Sequence, residues 1–176
     1  MKPIGPLMIE HRLIERMVAL LEKELEKIET SKELNPQFIF NAVDFFRTYA
    51  DQLHHGKEED ILFKELTKKN LSEEHKKIMQ ELIEEHIIAR KNVKGLLEAN
   101  EQYAKGNHEE ITKIIRSLKT LIALYLPHIA KEDKRFFIPV MNYFSEEEQQ
   151  IMLKQFFDFD KQMIHEKYGK LVEKYE

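Results

Sequence analysis

His54-His55-Gly56-Lys57-Glu58-Glu59-Asp60-Ile61-Leu62-Phe63 is matched in the second half of the chain by His128-Ile129-Ala130-Lys131-Glu132-Asp133-Lys134-Arg135-Phe136-Phe137. Laid end to end, the two segments put His54 on His128, Lys57 on Lys131, Glu58 on Glu132 and Phe63 on Phe137. Each follows a Glu-His pair at nearly the same distance. His11 of Glu10-His11 stands 43 residues before His54, and His86 of Glu85-His86 stands 42 before His128. Residues four apart share one face of a helix, so His54 with Glu58 and His128 with Glu132 each project two donors together. Two helix pairs, each supplying one histidine and then a His-x-x-x-Glu, describe a metal pair at the centre of a four-helix bundle.

The rest of the chain supplies those helices. Leu7, His11, Ile14, Val18, Leu21, Leu25 and Ile28 keep heptad spacing and predict a first helix from Pro6 to Glu29. Asn35-Pro36, an N-cap followed by proline at the first helical position, opens a second that crosses Gly56 and reaches Lys68. Ser72 caps a third, which runs to Ala104 and stops before Gly106. Asn107 with Glu110, and Ser145 with Glu148, have the capping-box pattern and predict a fourth helix and a fifth from Glu146 to Lys174. No alternating strand pattern occurs and no linker divides the chain. The expected architecture is all-α: one domain over residues 1–176, an up-down-up-down four-helix bundle with an additional C-terminal helix. Short connections make successive helices antiparallel neighbours, and the sequence doubling becomes a pseudo-twofold in space.

Composition narrows the chemistry. Charged residues make up 34% of the chain, but the signs are mixed and the net charge is −4, which leaves no basic stripe for nucleic acid. Cysteine is absent, so any metal is held by imidazole and carboxylate. The start, Met1-Lys2-Pro3-Ile4-Gly5-Pro6, has no long apolar run, and nothing approaches the ~20 apolar residues of a membrane span. A cytoplasmic protein with neither membrane nor nucleic-acid partner is expected.

A lone histidine on an apolar face is usually a hydrogen-bonded core residue, but here several stripes carry one at once. Ile111, Ile114, Leu118, Leu121, Tyr125, His128 and Glu132 form one seam; Met79, Leu82, Ile83, His86, Arg90 and Val93 form another. A carboxylate buried in such a seam needs a positive partner. No lysine lies on the seams, which leaves a metal. In the second helix His54/Glu58 and His55/Glu59 have the same spacing. His54 follows Ala50, Phe46 and Val43, whereas His55 follows Gln52, Asp51 and Thr48, so periodicity favours His54 with Glu58 and leaves His55 with Glu59 as the alternative. Asp133 stands about 100° away from Glu132 around the helix and is its understudy. His165 is a fifth candidate that periodicity leaves undecided, with Lys161, Gln162 and Asp158 behind it. Tyr49 and Tyr125 are candidates to approach the metals, with packing the plainer role. His75 and His108, near helix starts among charged residues, read as solvated surface.

The chain resembles the hemerythrin-like proteins, especially their prokaryotic HHE cation-binding branch. The matching segments are Glu10-His11-Arg12-x-Ile14-Glu15, the two His-to-Phe segments above, Glu85-His86-x-x-x-Arg90, and His165-Glu166-Lys167-Tyr168. The resemblance implies a non-haem site with two iron ions, oxo- or hydroxo-bridged, for which zinc could substitute. It implies His11, His54, Glu58, His86, His128, Glu132 and His165 as the ligands. His165 enters because oxygen-carrying hemerythrins have two histidines one turn apart where this chain has only His86. Five imidazoles and two bridging carboxylates would leave one position open for a small diatomic ligand or peroxide. The function implied is binding or sensing of O2 or reactive oxygen and nitrogen species. The alternatives are reduction of peroxide or NO, which needs an electron-donor protein, and iron storage or donation. Whether the protein is an enzyme stays open.

Overall fold

A computed structural model describes residues 2–173 of the chain, with side chains through residue 163. The first helix, α1 (Ile4–Ser31), starts before the Pro6 of the heptad pattern and ends at Lys32 in the left-handed conformation, whose N–H reaches Ile28 O. The second, α2, starts as Pro36–Phe45, where Asn35 accepts from the Gln37 and Phe38 N–H groups as its sequence predicts. It does not stay α-helical. Two π-helical stretches, Phe46–His55 and Glu58–Phe63, precede a last α-turn, Lys64–Leu66. Helix α3 (Glu73–Ala104) is capped by Ser72, which accepts from the His75 N–H. Helix α4 (Ile111–Lys131) runs into a π-turn, Glu132–Phe136, and a further turn, Phe137–Val140. Helix α5 (Glu146–Glu173) begins with the reciprocal Ser145 and Glu148 bonds of a capping box.

One expected cap is absent. Asn107 makes no side-chain bond to the helix that follows; a 3₁₀ turn, His108–Glu110, leads into α4 and satisfies its start through backbone bonds. Among the described residues no strand occurs and no helix is long and apolar enough to cross a membrane.

Helix α4 packs on α1 and α3, α2 packs on α3, and α5 lies along the π-helical part of α2. The apolar core falls into two clusters. One contains Ile14, Val18, Leu21, Val93, Leu96, Leu118 and Leu121; the other contains Leu7, Leu62, Phe63, Leu82, Phe136 and Phe137. On every bundle helix a polar layer interrupts the apolar one: Glu10 and His11 on α1, residues 54–58 on α2, His86 on α3, His128 and Glu132 on α4. Each large apolar side chain buried above and below that layer contributes ~2 kcal/mol, which holds the polar layer in place and keeps it dry.

Candidate metal centre

Two groups of side chains meet in that layer. His11, His54, Glu58 and Glu132 form one, and His55, His86 and His128 the other; within each, one potential donor atom per residue lies within 4.8 Å of all the rest. The two carboxylates stand between the groups. Glu58 turns one oxygen to His54 Nε2 at 3.3 Å and the other to His86 Nε2 at 3.4 Å. Glu132 Oε2 lies 3.0 Å from His11 Nε2 and 3.3 Å from His128 Nε2. His86 and His128 bring their Nε2 atoms to 3.3 Å. Donors at right angles about one ion, each ~2.1 Å from it, stand ~3 Å apart, so these separations suit shared coordination.

The outer nitrogens show why the rings point inward. All five Nδ1 atoms meet a carboxylate: His11 meets Asp133 at 2.7 Å, His54 meets Glu10 at 2.8 Å, and His55 meets Asp51 at 3.3 Å. His86 meets Glu59 at 2.6 Å and His128 meets Glu85 at 2.7 Å. A carboxylate on Nδ1 takes the proton there, fixes the ring and leaves Nε2 as the inward lone pair, the arrangement metal-binding histidines use. Arg12 clamps Asp133, and Arg90 bonds both Asp51 and Glu59. Phe137 stacks on His11 at 5.5 Å and Phe63 on His86 at 6.2 Å, so the pseudo-twofold extends to the rings that cover the site.

Three readings of the sequence change here. His54 and His55 are not alternatives: both are buried and each joins a different group. An α-helix would turn them ~100° apart. The π-helical stretch ending at His55 widens the turn, so His55 comes one such turn after the buried Ala50, while His54 keeps its place beside it. Glu59 and Asp133, weighed as alternative ligands, instead hold the outer nitrogens of His86 and His11. A lysine does reach the interior, since Lys57 is fully buried against Glu10 and Asp160. His75 is partly buried and bonds the Tyr143 hydroxyl at 2.8 Å. His165 lies outside the residues whose side chains are described. Tyr125 packs on Phe46 and stacks over His55.

The donor set fits a metal pair. Nε2 of His11 and of His54, and both oxygens of Glu58 and of Glu132, are buried and have no hydrogen-bond partner among the described residues. Their mutual contacts of 3.0–3.4 Å lack the alignment of hydrogen bonds. Leaving one buried charged acceptor unsatisfied costs several kcal/mol, and four carboxylate oxygens converging with two imidazole nitrogens on one space call for cations.

The protonation equilibria agree. Burial alone would lower His54, but the charge of Glu58 beside it and the hydrogen bond with Glu10 push it up to about 10. Against the same burial effect, the charge of Glu132 and the hydrogen bond to Glu85 push His128 up to about 10. Burial and the neighbouring imidazoles hold His55 well below its ordinary range. Despite its burial, Glu132 is held far below the carboxylate range by the charges of His128 and His11 beside it. Protons on the imidazoles therefore balance the carboxylates until a metal displaces them, His11 being raised as well by its bonds and contacts with Asp133 and Glu132 against its burial. At pH 7.5, loading a divalent metal should release protons, read with an indicator dye in weak buffer. Affinity should fall as pH drops below 10; loading without proton release would refute this protonation state.

A cavity of about 440 Å³, lined among others by Phe46, Arg90, Val93 and Tyr125, reaches the His55 ring. The family model described as hemerythrin HHE cation-binding domain matches residues 2–138, which contain both groups and end before α5. Comparison with curated proteins and with solved structures gave no match.

Proposed function

Because this chain belongs to the hemerythrin HHE cation-binding family, we propose that its buried polar layer holds two iron ions and that the pair binds or senses O2 or reactive oxygen and nitrogen species. The ligands in this reading are His11, His54, His55, His86 and His128, with Glu58 and Glu132 shared between the ions. His55 supplies the fifth imidazole for which the sequence offers His165. The observation that carries the reading is the set of inward donors without hydrogen-bond partners, each imidazole anchored from outside by a carboxylate.

An iron pair would supply a redox-active Lewis acid to a small ligand. The chain's part is to fix the donors and control access. Three imidazoles gather at one end of the carboxylates and two at the other, so the His11 and His54 side would offer a bound ion the fewer nitrogen donors and would be the side to admit a ligand. Phe137, fully buried and stacked on His11, closes that side and favours a small uncharged molecule over a hydrated anion.

Anaerobic loading with ferrous iron should give about two metal atoms per chain. Admitting O2, NO or peroxide should then change the near-ultraviolet and visible spectrum. Reversal on degassing supports binding or sensing. Steady turnover with an added electron donor supports a reductase. Loss of iron to a mild chelator within seconds supports storage or donation. Zinc in place of iron in freshly isolated protein, or far less than two atoms per chain after loading, would overturn the di-iron reading.

A further inference from the structure

The pseudo-twofold is broken beside Lys57, and α5 repairs it there. On one side Glu81, Lys131, Glu85 and His128 form a connected series: Lys131 Nζ contacts Glu81 at 3.1 Å and Glu85 at 2.6 Å, and Glu85 holds His128 Nδ1. On the other side Lys57 contacts Glu10, and Glu10 holds His54 Nδ1. Glu81 precedes Glu85 by four residues on α3, so both carboxylates face the same lysine. The residue four before Glu10 is Pro6, which has no carboxylate to offer. Asp160 of α5 takes that place, with Oδ1 at 2.8 Å from Lys57 Nζ.

The approach of α5 is built into the motif. A Cβ on Gly56 would lie 2.8 Å from the Phe159 ring, so the glycine next to Lys57 lets α5 come close enough to place Asp160. Lys57 is fully buried, whereas Lys131 is not, and a buried ammonium depends on counter-charges that protein groups supply. Asp160 lies beyond the residues that the family model matches.

We infer that Asp160 is a positioning residue for the ion bound by His11 and His54, acting through Lys57 and Glu10. With Asp160 in place the ammonium is shared between two carboxylates, and Glu10 keeps an oxygen for His54 Nδ1. Without it the buried ammonium has Glu10 alone, draws that carboxylate to itself and loosens the imidazole. The inference rests on the metal-pair reading.

Removing an outer partner of a metal-bound imidazole typically weakens binding 10–100-fold. Asp160→Ala should therefore speed the loss of one of the two irons to a chelator by roughly that factor and leave the other unchanged. Glu81→Ala should do the same to the other ion. Adding Pro6→Glu to Asp160→Ala should restore slow release, because a carboxylate at position 6 repeats the geometry of Glu81 in a first helical turn that favours acidic residues. Acceleration of both ions together with a lower Tm, or no acceleration at all, would overturn the inference, as would failure of Pro6→Glu to rescue. Metal-free protein provides an independent readout. Asp160→Ala should lose the His54 Nδ1–H proton resonance to solvent exchange and keep that of His128, and retention of both would also overturn it. Absence of two irons in the parent protein would instead strike at the metal-pair reading.

Discussion

Replacing Glu58 and Glu132 together by glutamine is expected to abolish metal uptake and to make the metal-free protein more stable than its metal-free parent. Both carboxylates are fully buried, and none of their four oxygens has a hydrogen-bond partner among the described residues. Without a metal, their charge is balanced chiefly by protonated His54 and His128. Such buried ion pairs recover little of the solvation that they lose, and replacing a whole pair by apolar groups of similar volume typically gains ~1–4 kcal/mol; here both partners become neutral, because His54 and His128 give up their protons once the carboxylates are gone. In a domain of this length each kcal/mol moves Tm by roughly 2–4 °C. Metal binding acts the other way: a metal present at ~1,000 times its Kd stabilises the native state by ~4 kcal/mol. The expected order of Tm is loaded parent, then metal-free double variant, then metal-free parent, with metal content near zero in the variant. Calorimetry with and without chelator, beside metal analysis, tests both halves. A double variant less stable than the metal-free parent would mean that the carboxylates serve the fold directly and that the interior has no need of cations.

The doubling that points to four of the buried imidazoles and both fully buried carboxylates is legible because it rests on side chains four apart and on seams of ordinary α-helix. His11, His86 and His128 lie on such seams, and the structure buries each where the pattern puts it. The helix starts at Pro36 and Glu146 are legible for a similar reason, since Asn35 and Ser145 cap by local chemistry. Asn107 has the same sequence signature, but a 3₁₀ turn takes up its neighbours' backbone groups. What the pattern hides depends on backbone that is not α-helical. The π-helical stretch Phe46–His55 brings His55 into the layer, although every α-helical step back from it lands on a polar residue. Lys57 is hidden differently: its counter-charges come from Glu10 on another helix and Asp160 far along the chain, and no local periodicity reports either. The five carboxylates on the outer nitrogens have one legible feature, since Glu10 and Glu85 directly precede His11 and His86. Each nevertheless serves the histidine of the next helix, and that pairing exists only in three dimensions.

His55 is accordingly the residue whose removal most sharply separates the two ways of completing the site. The pseudo-twofold places Ile129 opposite it, so its imidazole is an addition to one half and has no symmetric substitute. His55→Gly should bring metal content from about two atoms per chain toward one after desalting. Losing even an outer partner costs 10–100-fold in affinity, and losing the ligand itself should cost at least ~100-fold. His54→Ala should be as damaging, through the other ion. His165→Ala should leave the content unchanged, because His55 already gives the His86 and His128 group its third imidazole. The cavity beside His55 allows a chemical rescue. Its volume of about 440 Å³ is ample for a free imidazole, and Phe46, Val93 and Tyr125 give it walls suited to a flat ring. Millimolar imidazole added to His55→Gly should restore the second atom and its spectrum, whereas the same addition to His54→Gly should not, since that residue does not line the cavity. Loss of metal from His165→Ala with full retention in His55→Gly would return the fifth imidazole to α5 and leave His55 a packed core histidine.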